Sequence, residues 1–119
     1  MDTLNDGVTF VDAQEMGSLY PDSFDVYTDE ELNAIKPNDF VKVCLENNKQ
    51  DGERFWVKVT VVEGNTITGT IDNHLFGALL FGVDSGDTIQ FEKRNVYDII
   101  PAEGFGKEKG PIATIKIGR

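Results

Sequence analysis

The stretch ERFWVKVTVVEGNTITGTIDN, residues 53–73, decides the fold of this chain. Its apolar residues recur at every second position on both sides of Gly64-Asn65, and Val, Ile, Thr and aromatic residues dominate it. A period of two in such residues is typical of half-buried antiparallel strands, and a Gly-Asn step tolerates the positive φ of a hairpin turn. The stretch therefore predicts a β-hairpin. Its inward face comprises Phe55, Val57, Val59 and Val61, then Ile67, Gly69 and Ile71.

Shorter strands are predicted on either side of this hairpin. A polar, turn-forming loop at residues 47–52 leads into it. Five short strands around a central hairpin favour a small, mainly β, SH3-like antiparallel β-barrel, because closure removes the exposed edges of a sheet. An OB-like barrel, which also has five strands, is the alternative. The flanking strands are predicted at residues 39–46, 88–92 and 96–100.

The N-terminal segment is an acidic arm with a short helix. Residues 1–35 hold nine carboxylates and no Lys or Arg. Thr28 and Glu31 have the spacing of a capping box, which predicts a helix start there. A weaker pattern predicts a short strand at residues 7–11 and a short helix at 12–19. Charge runs are usually solvated, but an acidic arm with interspersed aromatic residues also suits docking onto a cationic protein surface.

Length and composition predict one domain across residues 1–119. Within it we expect the acidic arm at 1–35, the β-barrel at 38–100, and a connector at 101–119 with a last strand at 112–117. No apolar run reaches the length of a membrane span, and the N-terminus lacks the pattern of a secretory signal. A cytoplasmic protein of bacterial or phage origin is expected. The net charge of −10 argues against direct binding to nucleic acid.

Five segments carry a resemblance to a known family. They read NDFVKV, ERFWVKV, TITGTIDN, GDTIQF and VYDI, in this order and at matching spacing. On these segments the chain resembles DUF2314, a family of small, mostly bacterial proteins of unknown function, over residues 38–100 only. The resemblance implies no catalytic residue, since the family has no established chemistry. The segments lie at residues 38–43, 53–59, 66–73, 86–91 and 96–99.

The sequence shows no arrangement typical of an enzyme. His74 is the only histidine and Cys44 the only cysteine, and neither stands in a nucleophile motif. One His and one Cys without further ligands do not make a zinc site. No phosphate-binding glycine loop or calcium loop is present. We therefore expect a non-enzymatic protein without metal or cofactor.

The segment from Leu75 to Val83 departs from the strand pattern because apolar residues crowd together there with two glycines. One interpretation is a helical turn that plugs an end of the barrel. The other is an exposed apolar surface for a protein partner or for homo-oligomers. Trp56, on the outward face of the hairpin, either faces solvent or lies under residues 1–27.

These features predict a non-enzymatic protein-binding domain. An acidic inhibitor or an immunity-type protein that contacts a cationic partner would be such a domain. A protein that binds or sequesters a nucleotide-like anion is the alternative, and its expected ligand-binding residues are Arg54, Trp56 and Lys58. The expected partner-binding residues are Asp22, Asp25, Asp29, Glu30, Trp56, Leu75, Phe76, Leu79, Leu80 and Phe81.

Overall fold

The chain folds as a mainly β protein in which six antiparallel strands form one curled, half-barrel sheet, consistent with a small β-barrel. This computed structural model describes residues 2–20, 26–48 and 50–102. The strands are β1 (Val8–Phe10), β2 (Phe40–Asn47), β3 (Gln50–Glu63), β4 (Thr66–Ile71), β5 (Thr88–Glu92) and β6 (Asp98–Ile100). The helices are α1 (Ala13–Leu19), α2 (Asp29–Asn33) and α3 (Ala78–Phe81), with one 3₁₀ turn at Lys93–Asn95.

The predicted hairpin is the centre of the sheet. Strands β2 to β5 follow one another as a meander, so β3 pairs with β2 on one side and with β4 on the other. Val57 marks the middle, because it lies opposite Val41 on β2 and opposite Ile71 on β4. Strands β1 and β6 pair with opposite ends of β2. The sixth strand, β1, belongs to the segment that the sequence assigned to the acidic arm.

The core lies on the inward face of the sheet. Alternate residues are buried from Val41 to Leu45 in β2, from Phe55 to Val59 in β3 and from Ile67 to Ile71 in β4, as the alternation predicts. The segments that connect the strands complete the core. Leu32 and Ile35, which precede β2 in the chain, are part of it. The most deeply buried side chains of the three central strands are Val41, Val43, Leu45, Phe55, Val57, Val59, Ile67 and Ile71.

The prediction was wrong for Val61, which is 44% exposed. The pairing of β3 with β4 shifts register between Val59 and Val61, so a bulge lies at Thr60. A bulge inserts one residue and reverses the side-chain alternation beyond it. Val62 consequently packs against the core in place of Val61.

The predicted loop at residues 47–52 was also wrong in extent. Strand β2 continues to Asn47 and β3 begins at Gln50, which leaves a short turn between them. Asn48 and Asp51 have positive φ values of 51° and 23°, and the register shifts next to Asn47. These polar residues therefore form an irregular hairpin end rather than a separate loop, since Asn and Asp tolerate such backbone angles.

The N-terminal segment packs on the barrel. The capping box of α2 is present, with Glu31 N–H donating to the Thr28 hydroxyl at 3.1 Å. The Tyr27 hydroxyl donates to Asp98 at 2.8 Å and accepts from the N–H of Ile99 at 3.2 Å, which joins this segment to β6. Burial, followed by the bond to Asp98, raises the pKa of Tyr27 to about 12. The arm is thus part of the folded body where the structure describes it.

Candidate functional site

Two surfaces stand out, and the first is an apolar knob formed by Phe76, Leu79 and Leu80. Phe76 is 103% exposed, Leu79 96% and Leu80 38%. Large apolar side chains with full exposure are costly in water, and clusters of them mark interaction surfaces. The knob lies between β4 and β5, where the sequence predicted either a plug or an exposed patch.

The segment from Leu75 to Val83 has a buried part and an exposed part. Leu75, Phe81 and Val83 are buried, with Phe81 only 1% exposed. Helix α3 explains the division, because residues three apart share a face: Ala78 and Phe81 turn inward while Leu79 turns outward. The prediction that Leu75 and Phe81 contact a partner was therefore wrong. Both side chains belong to the core and are unavailable to a partner.

Side chains from two distant parts of the chain hold the backbone of the knob. The Glu53 carboxylate accepts the N–H groups of Phe76 and Gly77, both at 2.8 Å. Asn5 donates through its side-chain nitrogen to the carbonyls of Leu79 and Leu80, both at 3.0 Å. The exposed side chains are consequently presented on a backbone that is fixed by long-range hydrogen bonds.

Asp84 completes this frame. Its Oδ1 accepts from the N–H of Leu75 at 2.8 Å and from the N–H of Ser85 at 2.7 Å. These backbone hydrogen bonds are the main reason that the pKa of Asp84 lies below its ordinary value, with a smaller contribution from His74. The His74 Nδ1 lies 3.7 Å from Asp84 Oδ1, and its side chain is 90% exposed.

Two carboxylates lie next to the knob. Residues 59–92 contain no Lys or Arg, and neither do residues 1–35. Both carboxylates of the frame, Glu53 and Asp84, border the knob directly. Of the predicted acidic contacts, Asp29 and Glu30 lie exposed in the first turn of α2. Asp22 and Asp25 lie outside the described residues, as does the predicted strand at 112–117.

The second surface is a groove on the outward face of β2 and β3, with a volume of about 670 Å³. Its described walls come from residues 40–102, so Trp56 lies in this groove, and none of the described residues of the N-terminal segment lines it. Lys42, rather than the predicted Lys58, joins Arg54 and Trp56 in the lining. The lining residues are Phe40, Lys42, Arg54, Phe55, Trp56, Asp72, Asn73, Ile100, Pro101 and Ala102.

The cations of the groove lie against aromatic rings. Lys42 lies opposite Trp56 in the β2–β3 register, and its Nζ is 5.0 Å from the centre of the indole ring. The Arg54 guanidinium is 4.6 Å from the ring centre of Tyr97. Such cation–π contacts hold long side chains in defined positions. The backbone N–H of Trp56 also donates to Asn73 Oδ1 at 2.8 Å, which fixes the backbone at this residue.

Asp39 anchors one wall of the groove. It is 1% exposed, and its carboxylate accepts the N–H of Lys36 and the N–H of Ala102, both at 3.0 Å. The Lys36 ammonium adds an ion pair at 3.5 Å. A buried carboxylate needs such partners. Asp39 thereby fixes the chain at Ala102, next to Ile100 and Pro101 in the lining.

The thiol of Cys44 is not placed as a reactive nucleophile. Cys44 is buried, and burial raises the pKa of its thiol, which disfavours the reactive thiolate. Within residues 2–20, 26–48 and 50–102, no group of three or more His, Cys, Asp or Glu side chains is placed to hold a metal ion.

Comparison of the chain with family models, with curated proteins and with solved structures finds no match. The resemblance to DUF2314 stays a prediction. Among the helices of the described residues, none combines the length and apolar character that a membrane span needs.

Proposed function

We propose that this chain is a non-enzymatic protein-binding domain that acts by inserting the apolar knob into a pocket of a protein partner. The full exposure of Phe76 and Leu79 is the observation that carries the proposal. These side chains take no part in the core that the described residues form, whereas an aromatic and an aliphatic anchor are common sources of binding energy in interfaces.

The rigid presentation of the knob supports this role. Glu53, Asn5 and Asp84 fix the backbone on both sides of Phe76 and Leu79 before any partner binds. Preorganisation lowers the entropy lost on association, so a small anchor gains affinity. A loop that served only to connect β4 with β5 has no need for two outward apolar side chains on such a frame.

The carboxylates define the chemistry of the partner. The partner pocket is apolar, to receive Phe76 and Leu79, and is bordered by Lys or Arg residues that face Glu53 and Asp84. Opposite charges at the edge of an interface accelerate association and exclude partners of the same sign. An inhibitor or immunity-type protein that covers a cationic site on its target fits this description.

The test is affinity capture from native host extract, with the partner then purified and its affinity measured. A Phe76→Ser/Leu79→Ser double variant removes the anchors, and Val61→Ser is the matched control because Val61 is exposed at 44% on β3, outside the knob. We expect the control to bind the purified partner as the natural chain does and the double variant to bind about 100-fold more weakly, as for the loss of central anchors. Association should also slow as salt is raised.

Two results would contradict the proposal. One is a partner that binds the double variant and the natural chain equally, because the knob would then lie outside the interface. The other comes from light scattering of the purified chain: if the natural chain is a dimer and the double variant a monomer, the knob serves self-association, and the proposed cationic partner is excluded.

A further inference from the structure

We propose that the groove binds a planar aromatic anion of nucleoside-monophosphate size, with the ring against Trp56 and the anionic group between Lys42 and Arg54. This site uses different residues from the knob, on the outward face of β2 and β3. It therefore does not depend on the protein-binding function, and each proposal can fail alone.

The shape of the groove fits a small molecule. Sites for small ligands typically enclose about 300–1,000 Å³ and combine mainly apolar walls with a few polar groups. The groove, at about 670 Å³, has Phe40, Trp56 and Ile100 as apolar lining. These three residues come from β2, β3 and β6, so the sheet itself builds the floor. A floor made of paired strands keeps its shape when it is empty.

The two cations of the lining favour an anion. The chain has a net charge of −10, and this face holds three of the described cations together with carboxylates, among them Asp98, which lies opposite Lys42 in the β2–β6 register. Lys42 and Arg54 line the groove, and Lys58 continues the outward face of β3. The knob, by contrast, is bordered by carboxylates. In the described residues the cations are Lys36, Lys42, Arg54, Lys58, Lys93 and Arg94.

The contacts within the groove select an aromatic ring and hydrogen-bond donors. The Lys42 ammonium lies over the indole of Trp56, 5.0 Å from its centre. A ligand ring that stacks on the indole takes the place of this ammonium, which is then free to pair with the anionic group of the ligand. Asp72, also in the lining, accepts hydrogen bonds from a ligand and repels its anionic group, which leaves that group to Lys42 and Arg54. A ligand with donors at one end, a flat ring and one anionic group at the other matches this order, as a nucleoside monophosphate does.

The experiment uses the full chain and adenosine 5′-monophosphate as the probe. Trp56 is the only tryptophan, so its fluorescence reports on the groove alone, and calorimetry measures the same binding independently. Adenosine supplies the ring without the anion, and ribose 5-phosphate supplies the anion without the ring. We expect saturable binding of the monophosphate in the micromolar to low millimolar range, with each fragment at least ten-fold weaker.

Variants place the binding in the groove. Lys42→Met and Arg54→Met each remove one cation but keep the length of the side chain, and we expect each to weaken binding at least ten-fold. Lys93→Met is the matched control, since Lys93 lies in the 3₁₀ turn and contacts Asn33 at 3.0 Å. Unchanged thermal unfolding would show that the variants are folded.

Three outcomes would overturn the proposal. The first is no binding of the monophosphate at millimolar concentration. The second is equal binding by the monophosphate and ribose 5-phosphate, which would remove the role of the ring. The third is binding that both groove variants retain in full, which would place the ligand elsewhere. None of these outcomes bears on the knob, whose partner is measured with separate variants.

Discussion

Phe81 and Phe76 lie five residues apart in one loop, and they serve opposite purposes. Phe81 is 1% exposed in the core, while Phe76 is 103% exposed on the knob. Phe81 anchors the loop to the sheet, whereas the ring of Phe76 is exposed to solvent and is not covered by the described residues. The contrast teaches that a short apolar segment can contain a structural half and a contact half, separated by the geometry of a single helical turn.

The largest effect expected from this comparison is on stability. Phe81→Ala should lower the free energy of unfolding by about 3–5 kcal/mol, because it removes a buried ring and leaves a cavity. Phe76→Ala should change it by less than about 0.5 kcal/mol, because the ring is already in water. Chemical denaturation of the two variants measures both values.

The pair is its own control, since the same substitution is made twice in the same loop. Equal destabilisation by the two variants would contradict the division into core and knob. A loss in Phe76→Ala alone would mean that its ring packs against the folded chain in solution, and the knob would then be a part of the core.

A smaller effect is expected from the frame that presents the knob. Glu53→Gln replaces one of the two acceptor oxygens by a donor, so one N–H of Phe76 or Gly77 loses its partner. We expect a loss of about 1–2 kcal/mol in the free energy of unfolding. Amide hydrogen exchange at residues 76 and 77 should accelerate as well.

The matched control is Glu63→Gln, at the exposed end of β3, where the carboxylate has no such role in the described contacts. Faster exchange at residues 76 and 77 in both variants would mean that net charge, rather than the two hydrogen bonds, governs the loop. Unchanged exchange in Glu53→Gln would show that the loop is held by Phe81 and its neighbours alone.

Much of the fold could be read from the sequence because the sheet is made by local rules. Alternation in β2, β3 and β4 places the core, and the spacing of Thr28 and Glu31 marks the start of α2. The bulge at Thr60 escaped this reasoning. A bulge depends on how β4 pairs with β3, and alternation that runs unbroken through Val61 carries no sign of it.

The two surfaces could be predicted only in part. Trp56 was recognisable from strand alternation, but its neighbour Lys42 comes from the register of β2 against β3, and Pro101 and Ala102 arrive from the far end of the described chain. Such walls have no local pattern. In the knob, a four-residue helix is too short for its period to show in the sequence, so Phe81 and Leu79 could not be told apart.

The smallest effect concerns pH and tests whether Asp84 holds the core half of the loop. Its hydrogen bonds from Leu75 and Ser85 lower its pKa below the ordinary value of 3.8. A carboxyl group with a lowered pKa stabilises the folded state above its unfolded pKa, and this contribution is lost as pH falls through the folded value. The side chain is 42% exposed, so the stabilisation is modest.

Titration by NMR should show the Asp84 carboxyl and the Leu75 amide changing together below pH 3.8. The Leu75 amide should lose this step in Asp84→Asn and keep it in Asp72→Asn, whereas titration of Asp84 at or above its ordinary value would mean that Leu75 is held by its burial alone.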